Sequence, residues 1–216
     1  MVWKSKILLA FAIFLVLVST APQDAFATRH SPLELFSSSN ATHPLGTLRD
    51  VKYPMYKQCD PTWGSDLIYT KTVCQVGCLM SSISMGLHGW DLNIGGEPSN
   101  PGTLNEWLKE NNGYTQGNNL IESALNQVFR NMWTEAGMHK TNDLTPYELS
   151  DLINSDKFVV ANVMKGRHFV LVTNWSEKNP DIVWVNDPGF NTEYYSFSND
   201  IVGWRVFDVN NFLHEA

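Results

Sequence analysis

The stretch VGCLMSSISMGLHG, residues 76–89, decides how the rest of the chain is interpreted. Apolar residues recur at every fourth position from Leu79 to Leu87, which predicts a helix that begins at Cys78 and ends by the last glycine of the stretch. The partial positive charge of a helix N-terminus favours a thiolate over a thiol. Gly77 would leave room for a substrate backbone to approach the sulfur. The alternative reading of this local pattern is a buried structural cysteine.

A thiolate nucleophile needs a partner that accepts and returns a proton, and His168 is the best placed of the six histidines. It starts the apolar stretch HFVLV, residues 168–172, where a strand end can present one polar side chain at a cleft. His88 lies at the far end of the helix, roughly 15 Å of helical rise from Cys78. His139 has no strand context. A hydrogen-bonded structural histidine remains the alternative for His168.

A third group that orients the imidazole is expected near the end of the next strand. The stretch VWVNDPGF, residues 183–190, supplies Asp187 and Asn186, and both can accept the ring proton. Adjacent strand residues point to opposite faces, so one of the two serves. We favour Asp187, although Asp-Pro-Gly is also an ordinary turn signal.

The body of the chain places helical patterns first and strand patterns later. Thr103 and Thr145 each have the capping-box spacing, and Pro146 stands at a first helical position. A further helix is predicted over residues 121–128. Helices followed by an antiparallel sheet make an α+β domain. The predicted strands cover residues 158–164, 168–175 and 181–185.

The N-terminal region has the layout of a secretory signal peptide over residues 1–27. Its apolar run is about twelve residues, well short of the roughly 20 that span a bilayer, which disfavours an uncut anchor. Residues 28–50 are polar and form a lead-in or a short pro-segment, and residues 51–216 form the domain. Asn40 and Asn174 fit the glycosylation acceptor pattern. The expected destination is outside the cell, or a lysosome or vacuole.

Composition limits the partners that this chain can take. A formal net charge of −7 without a basic run argues against nucleic acid and against an anionic membrane surface. Three cysteines are too few for a disulfide framework, so the domain must depend on its core. The expected partner is a peptide or protein substrate, with no cofactor, no metal and no membrane contact after signal cleavage. We expect a monomer.

Four pieces of the sequence, in order, resemble the bacteriocin leader peptidases, which are papain-like cysteine peptidases, and in particular their secreted peptidase-like relatives. The resemblance extends from about Tyr53 to Phe207. It implies a papain-like fold in which the nucleophile begins a helix packed on a C-terminal antiparallel sheet. The pieces are YKQCDPTWG (56–64), VGCLMSSISMGL (76–87), HFVLV (168–172) and VNDPG (185–189), with a similar middle segment at Pro101, Leu104, Trp107, Leu108, Gly113 and Tyr114.

The resemblance implies that Gln58 and the backbone N–H of Cys78 stabilise the oxyanion of a tetrahedral intermediate. It also implies that Cys78 stays free, so that Cys59 pairs with Cys74, although many relatives carry glycine at the position of Cys59. A metal site formed by the three cysteines and His88 is the rival. Its C-x₃-C spacing is unlike that of zinc knuckles, and secretion disfavours zinc thiolates.

The reaction expected from this set of residues is hydrolysis of a peptide bond through a thioester. The same groups would serve an amidase or an acyltransferase. A secreted binding module that keeps the fold without turnover is an alternative from another class, and the lack of a clear pro-domain favours it. The complete set Gln58, Cys78, His168 and Asp187 favours the enzyme.

Overall fold

The computed structural model describes residues 51–210, which form a mixed helix and antiparallel-sheet domain. Four α-helices and two short 3₁₀ helices are present in these residues. The helices are α1 (Val73–Val76), α2 (Cys78–Gly89), α3 (Pro101–Glu110) and α4 (Pro146–Ile153), with 3₁₀ helices at Glu122–Gln127 and Glu135–Gly137. The strands are β1 (Asn93–Ile94), β2 (Glu97–Pro98), β3 (Met138–His139), β4 (Lys157–Val163), β5 (His168–Trp175), β6 (Ile182–Asn186), β7 (Tyr194–Ser196) and β8 (Gly203–Asp208).

Six of the strands form one sheet in the order β3-β8-β4-β5-β6-β7, and every neighbouring pair is antiparallel. The three predicted strands are present within a residue of their expected ends, as β4, β5 and β6. The other three strands of this sheet, β3, β7 and β8, were not predicted from the sequence. The prediction that His139 lies outside a strand was wrong, because His139 lies on β3 and pairs with Trp204 on β8.

Two hydrophobic clusters cover the two faces of this sheet. Alternate residues of β4 divide between them: Phe158 and Val160 pack with α2 and α3, whereas Val159 and Ala161 pack with α4. This alternation is the period of a strand buried on both sides. The small serines of α2 are fully buried, and a side chain at Gly86 would collide with the ring of Phe158. The helix that begins at Cys78 is therefore held closely against the sheet.

Two of the four helix predictions need correction. The predicted start at Thr103 is wrong, because α3 begins at Pro101 and Asn100 caps it by accepting from the N–H groups of Gly102 and Thr103. Residues 121–128 contain a 3₁₀ helix rather than an α-helix. The prediction at Thr145 is confirmed, since its side chain caps α4 and Glu148 completes the capping box.

Several sequence predictions fall on residues that the structure does not describe. The signal peptide, the lead-in and the glycosylation candidate Asn40 lie outside the described residues. Asn174 is exposed on β5, where it pairs with Trp184 beyond a register shift. Within residues 51–210, no helix has the length and apolar character needed to cross a membrane.

Candidate active site

Cys78 is the first residue of α2 and the one free cysteine of the described chain. Its side chain is half-buried and lines a cleft of about 940 Å³ between the α1–α2 segment and the sheet. The same cleft is lined by His168 and Gln58. The helix places the thiol where the unpaired N–H groups of its first turn contribute positive charge.

Gly77 is required for a different reason from the one that the sequence suggested. A Cβ atom at this position would lie 2.5 Å from the backbone oxygen of Val73 and 2.8 Å from the Val73 side chain. Gly77 is also absent from the residues that line the cleft. The glycine therefore permits the tight junction between α1 and α2, and no contact with a substrate is needed to explain it.

Cys59 and Cys74 form a disulfide, which is the pairing expected from the sequence. The bridge joins the segment that carries Gln58 to α1, and Gln58 Nε2 donates to the carbonyl of Cys74 over 2.6 Å. The Gln58 backbone N–H donates to Pro188, 2.9 Å away. Gln58 is buried, and its side-chain amide keeps a second N–H for another acceptor. Gln58 is thus fixed to both walls of the cleft.

His168 and Asp187 form a buried hydrogen-bonded pair. Nε2 of His168 lies 2.7 Å from Oδ1 of Asp187, and the two side chains are 7% and 0% exposed. His168 begins β5, and Asp187 directly follows β6, its antiparallel neighbour. The competing candidate Asn186 donates instead to the carbonyls of Tyr53 and Pro54. The imidazole is therefore oriented by Asp187.

The carboxylate of Asp187 is fully occupied by donors. Oδ1 also accepts from the backbone N–H groups of Gly189 and Phe190 at 2.8 and 2.9 Å. Oδ2 accepts from the hydroxyl of Tyr195 at 2.8 Å. Burial raises the pKa of Asp187, but its bonds with His168, Phe190 and Tyr195 outweigh burial and lower the pKa below its ordinary value. Asp187 is a carboxylate at neutral pH.

Tyr195 is the member of this network that the sequence reading missed. It is buried on β7, and burial together with the Asp187 carboxylate raises the pKa of its hydroxyl. The phenol therefore stays protonated and donates. A signal was present in the sequence, since a tyrosine follows the Asp-Pro-Gly turn, but its role depends on the pairing of β6 with β7.

The second ring nitrogen of His168, Nδ1, is left for Cys78. Burial lowers the pKa of His168, but hydrogen bonds with Asp187 and Cys78 and the charges of both raise it, to about 9. The imidazole is accordingly protonated at neutral pH when it faces the sulfur. This is the charge state in which a histidine stabilises a thiolate.

The turn after Asp187 lies against the imidazole. A Cβ atom at Gly189 would sit 2.9 Å from Cε1 of His168, so this position has no room for a side chain. Lys57 Nζ donates to the carbonyls of Asp187 and Phe190 at 2.7 and 2.5 Å. The segment that carries Gln58 thereby holds the turn that carries Asp187.

The rival metal set does not come together. Cys59 and Cys74 are joined to each other, and His88 Nδ1 lies 2.9 Å from the hydroxyl of Tyr56 and 3.0 Å from the carbonyl of Ser99. Among residues 51–210, no group of three or more His, Cys, Asp or Glu side chains is arranged to hold a metal ion.

Comparison with known proteins gives one family. The model of the Peptidase_C39 like family matches residues 51–207, which is most of the chain and includes every side chain of the site described above. Neither the curated proteins nor the solved structures contain a match. The family supports a peptidase of the cysteine type, and the chain belongs to the Peptidase_C39 like family.

Proposed function

We propose that this protein is an exported cysteine peptidase that cleaves peptide bonds with Cys78 as nucleophile, His168 as acid and base, and Asp187 as the group that orients His168. The observation that carries the proposal is the imidazole of His168, which is hydrogen-bonded to a buried carboxylate at 2.7 Å and lines the same cleft as Cys78, whose thiol raises the pKa of the ring. Family membership supports the same activity.

The proposed reaction is acyl transfer to sulfur followed by hydrolysis. The Cys78 thiolate attacks the amide carbon, and the carbonyl oxygen becomes an oxyanion held by the Cys78 N–H and the second N–H of Gln58. The C–N bond then breaks as His168 gives its proton to the leaving amine. A water molecule, deprotonated by His168, attacks the thioester, and the acid product leaves with the thiolate restored.

The finer fold proposal is a papain-like arrangement. It is supported by a cysteine at the start of a helix that packs against an antiparallel sheet, in which strand β5 begins with the histidine. Export is supported by the Cys59–Cys74 disulfide, because such bonds persist in oxidising compartments.

The first test is alkylation of the unreduced protein with iodoacetamide from pH 5 to 9, mapped by mass spectrometry. We expect Cys78 alone to react, at a substantial rate below pH 7, and to slow when His168→Ala removes the imidazole. A casein or peptide-pool assay should show hydrolysis that Cys78→Ala abolishes. If Cys78→Ala and the wild-type protein behave alike toward every peptide, the protein is a binding module and the proposal is wrong.

A further inference from the structure

The cleft around Cys78 has the opposite charge balance to the protein as a whole. Its charged lining side chains, apart from His168 itself, are three cations and one carboxylate, although the chain carries a formal net charge of −7. The four residues are Lys71, Arg167, Arg205 and Glu122. An excess of positive charge in the cleft of an acidic protein needs a reason.

Two of these four charges cancel each other. Arg205 Nε donates to Glu122 Oε1 at 3.0 Å, with side chains 14% and 11% exposed. Arg205 also donates to the carbonyl of Trp204, and its guanidinium lies 5.4 Å from the ring centre of Phe169. This neutral pair forms part of the cleft wall and has a structural role. The net charge of the cleft therefore comes from Lys71 and Arg167.

Lys71 and Arg167 approach the cleft from opposite walls. Lys71 lies just before α1 on the helical wall, and Arg167 directly precedes His168 on the sheet wall. Both are exposed, and neither has a carboxylate partner among the described residues. Arg167 donates only to the carbonyl of Met164 at 3.3 Å within that part of the chain, which leaves most of its guanidinium N–H groups available.

We propose, on the basis of the peptidase function above, that the cleft selects acidic peptides, with Asp or Glu side chains flanking the cleaved bond and facing Lys71 and Arg167. Carboxylates elsewhere on the surface oppose such a substrate only weakly, because charges more than about 8 Å away are screened at physiological salt. Within the cleft, apolar walls such as Leu79 and Phe169 strengthen the field of the nearby cations. The selectivity is thus local to the site.

The decisive experiment digests a mixture-based peptide library and counts the residues on either side of each cleaved bond. Asp and Glu should be enriched, and matched peptides that differ only by Glu, Gln or Lys should show kcat/KM falling in that order. We expect about a tenfold span from Glu to Lys at low salt, the lower end of electrostatic steering effects, shrinking towards twofold at 0.5 M salt. Equal cleavage of the three peptides at low salt would overturn the proposal.

Charge variants separate the cleft from the overall net charge. The double variant Lys71→Gln/Arg167→Gln should lower kcat/KM for the Glu peptide to that of the matched Gln peptide, which removes the Glu preference. The matched control Lys165→Gln/Lys178→Gln makes the same change in net charge at exposed positions outside the cleft lining, and it should keep the preference. Loss of preference in both variants would assign the effect to net charge and contradict the proposal.

A second readout does not depend on peptide turnover. Cys78 is alkylated with iodoacetate, which is an anion, and with neutral iodoacetamide, and the ratio of the two rates measures the local field. The double variant should lower this ratio about two- to fivefold, as expected for losing two exposed charge interactions, and the control should not. If no peptide is cleaved, the peptidase function fails whatever the ratio. If peptides are cleaved without charge preference and the ratio is unchanged, only the acidic-substrate proposal fails.

Discussion

Residues 51–210 contain two histidine–aspartate pairs with nearly the same bond length and different surroundings. His168 and Asp187 lie 2.7 Å apart with side chains 7% and 0% exposed, whereas His139 and Asp143 lie 2.8 Å apart with side chains 22% and 53% exposed. The first pair joins the ends of two sheet strands. The second joins β3 to residues just beyond it and projects towards solvent. Bond length alone does not distinguish them.

The surroundings of the two carboxylates make the difference. Asp187 accepts from two backbone N–H groups and from Tyr195 in addition to His168, so its position and charge are fixed before any substrate arrives. Asp143 has no such set of donors among the hydrogen bonds of the described residues. An exposed ion pair contributes only about 0–1 kcal/mol. The comparison teaches that burial and additional donors turn a common surface pair into a candidate catalytic one.

The largest difference between the two pairs is expected when each histidine is replaced by alanine. His168→Ala should lower kcat/KM for peptide hydrolysis by about 10³-fold or more, because it removes both the proton carrier and the partner of the thiolate. His139→Ala should leave kcat/KM within about twofold of the wild type, as surface substitutions usually do. Equal losses in the two variants would show that the buried pair has no special role.

The pH dependence of stability sharpens the comparison next. The pKa of folded His168 is about 9, above the ordinary 6.5, so its protonated form stabilises the folded state fully below pH 6.5. That contribution is lost as pH rises through 9, and it amounts to as much as about 3 kcal/mol.

Urea unfolding at pH 6, 7.5 and 9.5 measures this loss. The decline in the free energy of unfolding should be smaller in His168→Ala and unchanged in His139→Ala. A decline of the same size in His168→Ala would mean that other groups cause it.

Replacing each carboxylate by its amide tests the orienting role. Asp187→Asn should lower kcat/KM about 10²-fold, because the amide can no longer hold the imidazolium by charge and can present an N–H where an acceptor is needed. The pKa of His168 should fall, so Cys78 should be alkylated more slowly below pH 7. Asp143→Asn is the matched control, and we expect it to match the wild type in both assays.

The smallest effect is expected at the donors around Asp187. Tyr195→Phe removes one hydrogen bond to a carboxylate and should lower kcat/KM roughly tenfold, equivalent to about 1.4 kcal/mol. The alkaline limb of the pH–rate profile should move to higher pH, because an Asp187 carboxylate that has lost a donor is a stronger acceptor for the imidazolium and raises the pKa of His168 further. Tyr194 is adjacent to Tyr195 and exposed, so Tyr194→Phe is the control. A drop in kcat/KM without a shift of the pH profile would indicate a merely structural role for Tyr195.

Local signals in the sequence were sufficient where one segment determines its own structure. The helix from Cys78 to Gly89 follows from a four-residue apolar repeat, and Thr145 caps α4 by its own side chain. The rule failed at Thr103, where the competing cap Asn100 lies three residues earlier and the two side chains bond each other's backbone N–H groups. Thr103 is followed three residues later by a glutamate, as the capping-box pattern requires, whereas Asn100 is followed by a threonine, so the pattern selects the position that is not the cap.

Distant pairing accounts for what the sequence reading could not supply. β8 has no distinctive alternation in GWRVFD, and it forms a strand because it lies between β3 and β4. Tyr195 reaches Asp187 only through the β6–β7 pairing. The contact between His168 and Asp187 could be predicted from the sequence, because two neighbouring strands, joined by a short connection, bring their ends together.

The position of β8 has a consequence for the order in which the chain can fold. Cys78, His168 and Asp187 all precede Gly203 in the chain, yet β8 supplies the strand between β3 and β4. A ribosome that has made all three proposed catalytic residues has therefore not yet made the strand that joins β3 to β4. Until β8 is inserted, β4 has an open edge that can pair with other chains. Completion of the sheet must wait until β8, Gly203–Asp208, has been made, and a chain stopped before Gly203 would carry every proposed reacting group without a finished scaffold.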